Sequence, residues 1–209
     1  MAARDKRERR NREPDPSRDP ALRTVSIDAL LVEGSDVPFR QALHDLMAIG
    51  HSFDVMTAGF ARLIGVSPPQ HELLMLIYRA NEGAGIGVGE LAAEVRLTSA
   101  FVATETNKLS AVGLVEKVPD TVDRRRVILR LTELGRSKLA FLSHYQRQVN
   151  DVLFGCFDRD EFRTFAGLLR RVVPSSERAG DVATLLTNDY ERSQKVALLS
   201  PSSRKAAGA

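Results

Sequence analysis

Between positions 117 and 130 the chain carries five basic residues against two acidic ones, with Asp123, Arg124 and Arg125 consecutive in the middle. Beyond them Val127, Leu129 and Leu131 alternate with Ile128, Arg130 and Thr132, the period of two expected of a half-buried strand. Positions 114–119 supply a second strand, so the basic residues ride on the tip of a hairpin. The chemistry open to such a tip is electrostatic: guanidinium groups meet phosphates, and an arginine enters the negative minor groove of a duplex. Asp123 has the wrong charge for phosphate and is expected to orient an arginine. A second polar set lies just upstream. Thr98, Ser99, Ala100, Ala103, Thr104, Asn107 and Lys108 fall off the apolar face of a helix whose inner side carries Val102 and Leu109. Side chains of these types contact base edges and phosphates, Asn107 suiting adenine and Lys108 a phosphate.

Those residues need a scaffold, and the neighbouring sequence describes one. Leu91, Ala92 and Val95 form the inner face of a short helix before the reading helix, and Ala92 is small enough to let the two approach closely. Gly113 ends the second helix, the hairpin follows, and Thr132 is placed to cap another helix beginning with Glu133, Leu134 and Gly135. Helix, turn, helix and basic hairpin in that order make a winged helix-turn-helix.

Asp123, Arg124, Arg125, the apolar strand 127–131, Thr132 and Gly135 resemble the wing of the MarR family of bacterial transcriptional regulators. The resemblance runs back through Ser67, Pro68, Pro69 and Gln70 with Leu73, Leu74 and Leu76, and forward to about Pro174. Two positions depart from the family's habit. Arg96 stands where glycine is common in the turn, which would be costly if that turn is left-handed, and Glu105 stands where an apolar residue is common, so burial would oblige it to find a polar partner. The resemblance implies a mainly α fold with a small β-hairpin wing, in which a winged-helix lobe joins a long-helix dimerisation lobe. It also implies a homodimeric, ligand-responsive repressor of a pseudo-palindromic operator in double-stranded DNA, with one recognition helix per half-site. A small-molecule pocket is implied where the first long helix and the helix after Ser67 meet the long helix after the wing. His51, Phe53, His71, Met75 and His144 could line it, an apolar wall with a few polar groups that would suit an aromatic or acyl-bearing carboxylate.

Composition bounds the alternatives. A chain of 209 residues with 43% hydrophobic content can bury one good core, and its net charge of +3 is compatible with nucleic acid without requiring it. Residues 1–24 hold eight basic and five acidic side chains with three prolines, the composition of a disordered tail. A single regulator domain is expected over 25–186, with its winged lobe at about 67–131, dimerisation helices at 38–66 and 132–186, and a C-terminal tail at 187–209. The stripe Phe39, Leu43, Leu46, Ile49, Phe53, Met56, Phe60, Leu63 and Ile64 has helical spacing and is too long for one small lobe to cover, which suggests a partner chain. Downstream, Asp158 with Glu161 forms a capping-box pattern, Pro174 is expected to end that helix, and a further helix is allowed from about Ser176.

No apolar run approaches a membrane span and no hydrophobic segment follows the charged start, so the expected location is the cytoplasm, away from membranes. Cys156 is the only cysteine, with apolar neighbours that predict a packed thiol. Gly83, Gly85, Gly87 and Gly89 do not match a dinucleotide fingerprint, and Met75 stands where a zinc protease beginning at His71 and Glu72 would need its second histidine. No catalytic residue, metal site or cofactor is therefore expected. A non-enzymatic protein-interaction module on the same scaffold is the alternative, since fold alone does not decide function.

Overall fold

The computed structural model of the chain describes residues 19–80, 85–120 and 126–199. They form helices α1 (Val37–Ile64), α2 (Pro68–Arg79), α3 (Val88–Val95), α4 (Ser99–Ala111), α5 (Glu133–Phe154) and α6 (Arg159–Leu199), with strands β1 (Ile86–Gly87), β2 (Val115–Pro119) and β3 (Val127–Leu131). The chain divides into two compact units, residues 1–146 and 147–209.

In the first unit the strands form an antiparallel sheet in the order β1-β3-β2. Val115 faces Leu131, Lys117 faces Leu129 and Pro119 faces Val127, while Ile86 also pairs with Leu129. This register turns Leu129 and Leu131 inward, as their alternation predicts, and leaves Val127 half exposed near the hairpin end. Gly85 is required where the chain enters β1. Its φ is +94°, and a Cβ there would lie 2.6 Å from the Leu129 carbonyl oxygen.

The helices close over the sheet with a core of Ile64, Leu73, Leu74, Ile77, Leu91, Ala92, Val102, Leu109, Leu114, Leu139 and Leu142, all buried. Each large member withdrawn from water stabilises the fold by about 1.5–3 kcal/mol. Helix starts follow local chemistry. Ser67 and Gln70 form a reciprocal capping box at α2, with Pro68 in the first turn. At α5 the Thr132 hydroxyl accepts from Gly135 N at 3.0 Å and donates to the Gly113 carbonyl at 2.6 Å. One residue thus caps the helix and ties the end of α4 to the end of the wing. From α5, Lys138 Nζ reaches the Ile64 carbonyl at 2.8 Å and satisfies the C-terminal end of α1.

Of positions 1–24, residues 19–24 are described and are held in place. Asp19 caps a short 3-10 turn over Pro20–Leu22, and Thr24 donates from N and Oγ1 to the buried Asp36 carboxylate at 2.7 and 2.9 Å. These hydrogen bonds, the backbone one foremost, hold the Asp36 carboxyl below its usual value.

In the second unit, Asp158 Oδ1 accepts from Asp160 N and Glu161 N while Glu161 Oε2 accepts from Asp158 N, completing the capping box. Phe157 stacks on Phe165 with ring centroids 5.1 Å apart, and Phe154 meets Phe162 edge-on at 5.8 Å. The expected stop at Pro174 does not occur: the proline lies inside α6, which continues as one helix of 41 residues. Proline removes one N–H from the ladder. That leaves the carbonyl of Arg170 without its helical donor, a loss of one bond in a helix of 41 residues. Cys156 is exposed, contrary to the expected packed position.

Candidate nucleic-acid interface

Helices α3 and α4 pack through Leu91, Ala92, Val102 and Leu109, all of them buried. Arg96 closes α3 in the left-handed region, at φ 56° and ψ 38°. Its peptide N–H bonds the Ala93 carbonyl at 3.3 Å, and Leu97 N bonds the Ala92 carbonyl at 3.1 Å, which turns the chain into α4. Thr98 then caps α4, its Oγ1 accepting from Phe101 N at 3.2 Å.

This turn leaves Thr98, Ser99, Ala100, Thr104, Asn107 and Lys108 exposed, with Ala103 half-buried at the edge. The helix therefore presents as one surface the residues singled out for it. Several are already engaged. Thr104 Oγ1 donates to the Ala100 carbonyl at 3.0 Å, and Lys117 Nζ on β2 donates to Asn107 Oδ1 at 2.5 Å. Lys108 Nζ lies 2.6 Å from Glu105 Oε1.

Glu105 is buried and does have the polar partners its burial demands. Beside Lys108, it accepts from Gln70 Nε2 at 2.8 Å. The Lys108 bond, aided by the Gln70 bond, holds its carboxyl below the usual range against the opposing effect of burial. Gln70 belongs to the capping box of α2, so α4 is tied directly to the start of that helix.

At the root of the wing, Asp120 N bonds the Arg126 carbonyl at 3.0 Å, and the Arg126 guanidinium pairs with Glu90 in the first turn of α3. That pairing, reinforced by the Gly87 N–H, lowers the Glu90 pKa. Asp123, Arg124 and Arg125 lie outside the described residues. Two features were missed in the sequence: the half-exposed ring of Phe101 at the start of α4, and the link from Lys117 to Asn107. Phe101 could have been found from its position beside Ala100; the link could not, because it depends on where β2 lands.

The residues suggested for a small-molecule pocket lie on α1 (His51, Phe53), α2 (His71, Met75) and α5 (His144). His71 is buried against Phe60, with ring centroids 6.0 Å apart; neither ring nitrogen has a hydrogen-bond partner, and burial pushes its pKa down. His51, Phe53 and His144 are exposed. Met75 lines a groove of about 360 Å³ between α2 and α5, together with Tyr78, Arg136, Leu139, Ala140, Ser143 and Gln146. Among the described residues no cluster of three or more His, Cys, Asp or Glu could hold a metal ion. Within the same residues no helix is long and apolar enough to cross a membrane.

A capped helix, α4, packed on α2 and α3 beside a β-hairpin defines the winged helix-turn-helix class. Comparisons with known proteins narrow it. A family model described as MarR family matches residues 64–126, from the end of α1 to the root of the wing. The HTH-type transcriptional repressor NicR of Pseudomonas putida is 33% identical over 91 residues, 44% of this chain and 58% of that protein. The match thus spans under two thirds of the repressor's length. The fold is similar to that of a MarR transcriptional regulator from Methanosarcina mazei Go1, at TM-score 0.54 and 20% identity, covering 66% of this chain and 98% of that one. It is also similar to the S. aureus MepR–DNA complex, at TM-score 0.53 and 15% identity, covering 71% and 99%.

Proposed function

We propose that the protein is a homodimeric transcriptional regulator, a repressor, that binds a pseudo-palindromic operator with one α4 helix per half-site and is released by a small-molecule effector. The observation that carries this reading is the exposed face of α4, held by Thr98, Glu105 and Gln70 beside a hairpin whose tip is basic in sequence. A helix presented in this way enters a major groove while the wing meets the backbone and the adjacent minor groove. NicR is a repressor and the MepR structure is a DNA complex, and both favour the same role here.

Two further features support the finer parts of the reading. Helix α1 leaves Leu43, Leu46, Met47, Ile49 and Phe53 between 43 and 69% exposed, an apolar face suited to a second copy of the chain. The groove between α2 and α5 combines apolar walls with Arg136, which suits an effector bearing a carboxylate and an aromatic or acyl body. Such an effector acts through its different affinities for DNA-competent and DNA-incompetent states.

The test is selection of bound duplexes from a random pool by the full chain, followed by titration against salt. A palindromic site should be enriched. The Arg124→Ala, Arg125→Ala double variant should keep its fold and lower the slope of log affinity against log salt by about one for each phosphate it no longer neutralises. Failure to enrich any sequence would refute DNA reading, and an unchanged slope would remove the wing from the interface.

A further inference from the structure

On the outer face of α4 several polar atoms are engaged within the protein, and hydrocarbon lies exposed between them. The Thr98 hydroxyl caps the helix, the Thr104 hydroxyl bonds the Ala100 carbonyl, and Lys108 is paired with Glu105. Asn107 has its carboxamide oxygen on Lys117, and a bidentate contact with adenine needs that oxygen together with the amide nitrogen. Ser99 stands at the first position of the helix, where a phosphate is the common neighbour. Ala100 and Thr104, one turn apart, occupy the middle of the exposed face. Ala103 flanks them on one side and Phe101, 39% exposed, on the other.

We propose that α4 reads its half-site through the C5-methyl groups of thymine, with Ala100, Phe101 and the methyl of Thr104 as the specificity-determining contacts. This rests on the operator reading above and adds the chemistry by which bases are told apart. In the major groove thymine alone among the unmodified bases carries a methyl, and apolar side chains meet it favourably. The same surface rejects cytosine, whose N4 amino group would lose its water against Ala100 or Phe101 without gaining an acceptor. Each methyl buried against the helix should contribute about fourfold in affinity.

Uracil scanning tests this, because deoxyuridine keeps every hydrogen-bonding group of thymidine and lacks only the methyl. In the site selected from the random pool, each thymine is replaced in turn and binding measured with the full chain and with its Phe101→Ala and Thr104→Ser variants. Thr104→Ser deletes one exposed methyl and keeps the hydroxyl, so it guards against loss of folding in the phenylalanine variant. The expected result is at least one thymine per half-site where uracil weakens wild-type binding about fourfold, with that penalty abolished in one of the variants. Indifference to uracil at every thymine overturns the proposal, as does a penalty that both variants retain in full. If no sequence is enriched, the operator reading itself fails and this inference with it.

Discussion

Arg96 is held in a conformation that an L-residue adopts only at a cost, and that cost can be measured. At φ 56° and ψ 38° its Cβ crowds the following peptide, a penalty of about 1–2 kcal/mol that glycine escapes. Glycine also gives the unfolded chain more freedom, which returns about 0.4–1 kcal/mol of the gain. The arginine side chain makes interactions of its own, so the informative comparison is Arg96→Gly against Arg96→Ala, in which the guanidinium is absent from both. The glycine variant should be the more stable by about 1 kcal/mol. Urea unfolding followed by circular dichroism would show its midpoint about 0.5 M higher at a typical slope near 2 kcal/mol per molar. The melting temperature should rise by about 2–4 °C. Equal stability, or a more stable alanine variant, would refute the left-handed assignment. The turn that sets α4 against α3 would then need a different geometry.

Two other substitutions probe the supports of α4 and the wing. Gly135→Ala should lower stability by about 1–3 kcal/mol in urea titrations, because a Cβ there would press on the Leu114 carbonyl at the start of the wing; a neutral outcome would show that the start of the wing and α5 are less closely packed. Glu105→Gln keeps an acceptor for Gln70 and loses the ion pair with Lys108, which is exposed, so about 0.5–1 kcal/mol is expected at neutral pH. Since the folded carboxyl titrates below its ordinary value of 4.5, wild type should hold this advantage at neutral pH and lose it as pH falls through 4.5 toward the folded value. A difference from the variant that is constant between neutral pH and acid would mean that Glu105 is not stabilised as a carboxylate.

What could be read in the sequence and what could not divide along a physical line. Ser67 with Gln70, Thr132 with Gly135 and Asp158 with Glu161 are bonds between residues three apart, and the sequence alone is enough to foresee each of them. The alternation at Leu129 and Leu131 likewise carries its own geometry. Pro174 misled because the rule against proline in a helix concerns one missing N–H and a local clash, and a long helix can absorb both. Cys156 misled because apolar neighbours in sequence do not by themselves bury a side chain: Val152 is 86% exposed as well.

For the site itself, the set of exposed residues on α4 followed from helical spacing, but their chemistry did not. Asn107 is suited by type to adenine, but the bond from Lys117 to its oxygen, ten positions along the chain, appears only where β2 lands. Glu105 looked misplaced until Gln70, thirty-five positions away, supplied its donor. Both bonds come from tertiary structure. The first engages the oxygen of an exposed side chain on α4, and the second lets a charged residue occupy the inner face and lock α4 to α2. Hydrogen bonds at Thr98, Thr104, Asn107 and Glu105 thus hold α4 in place, and the methyl reading proposed for it draws on the same bonds, so the rigidity of the helix and the proposed mode of reading share one origin.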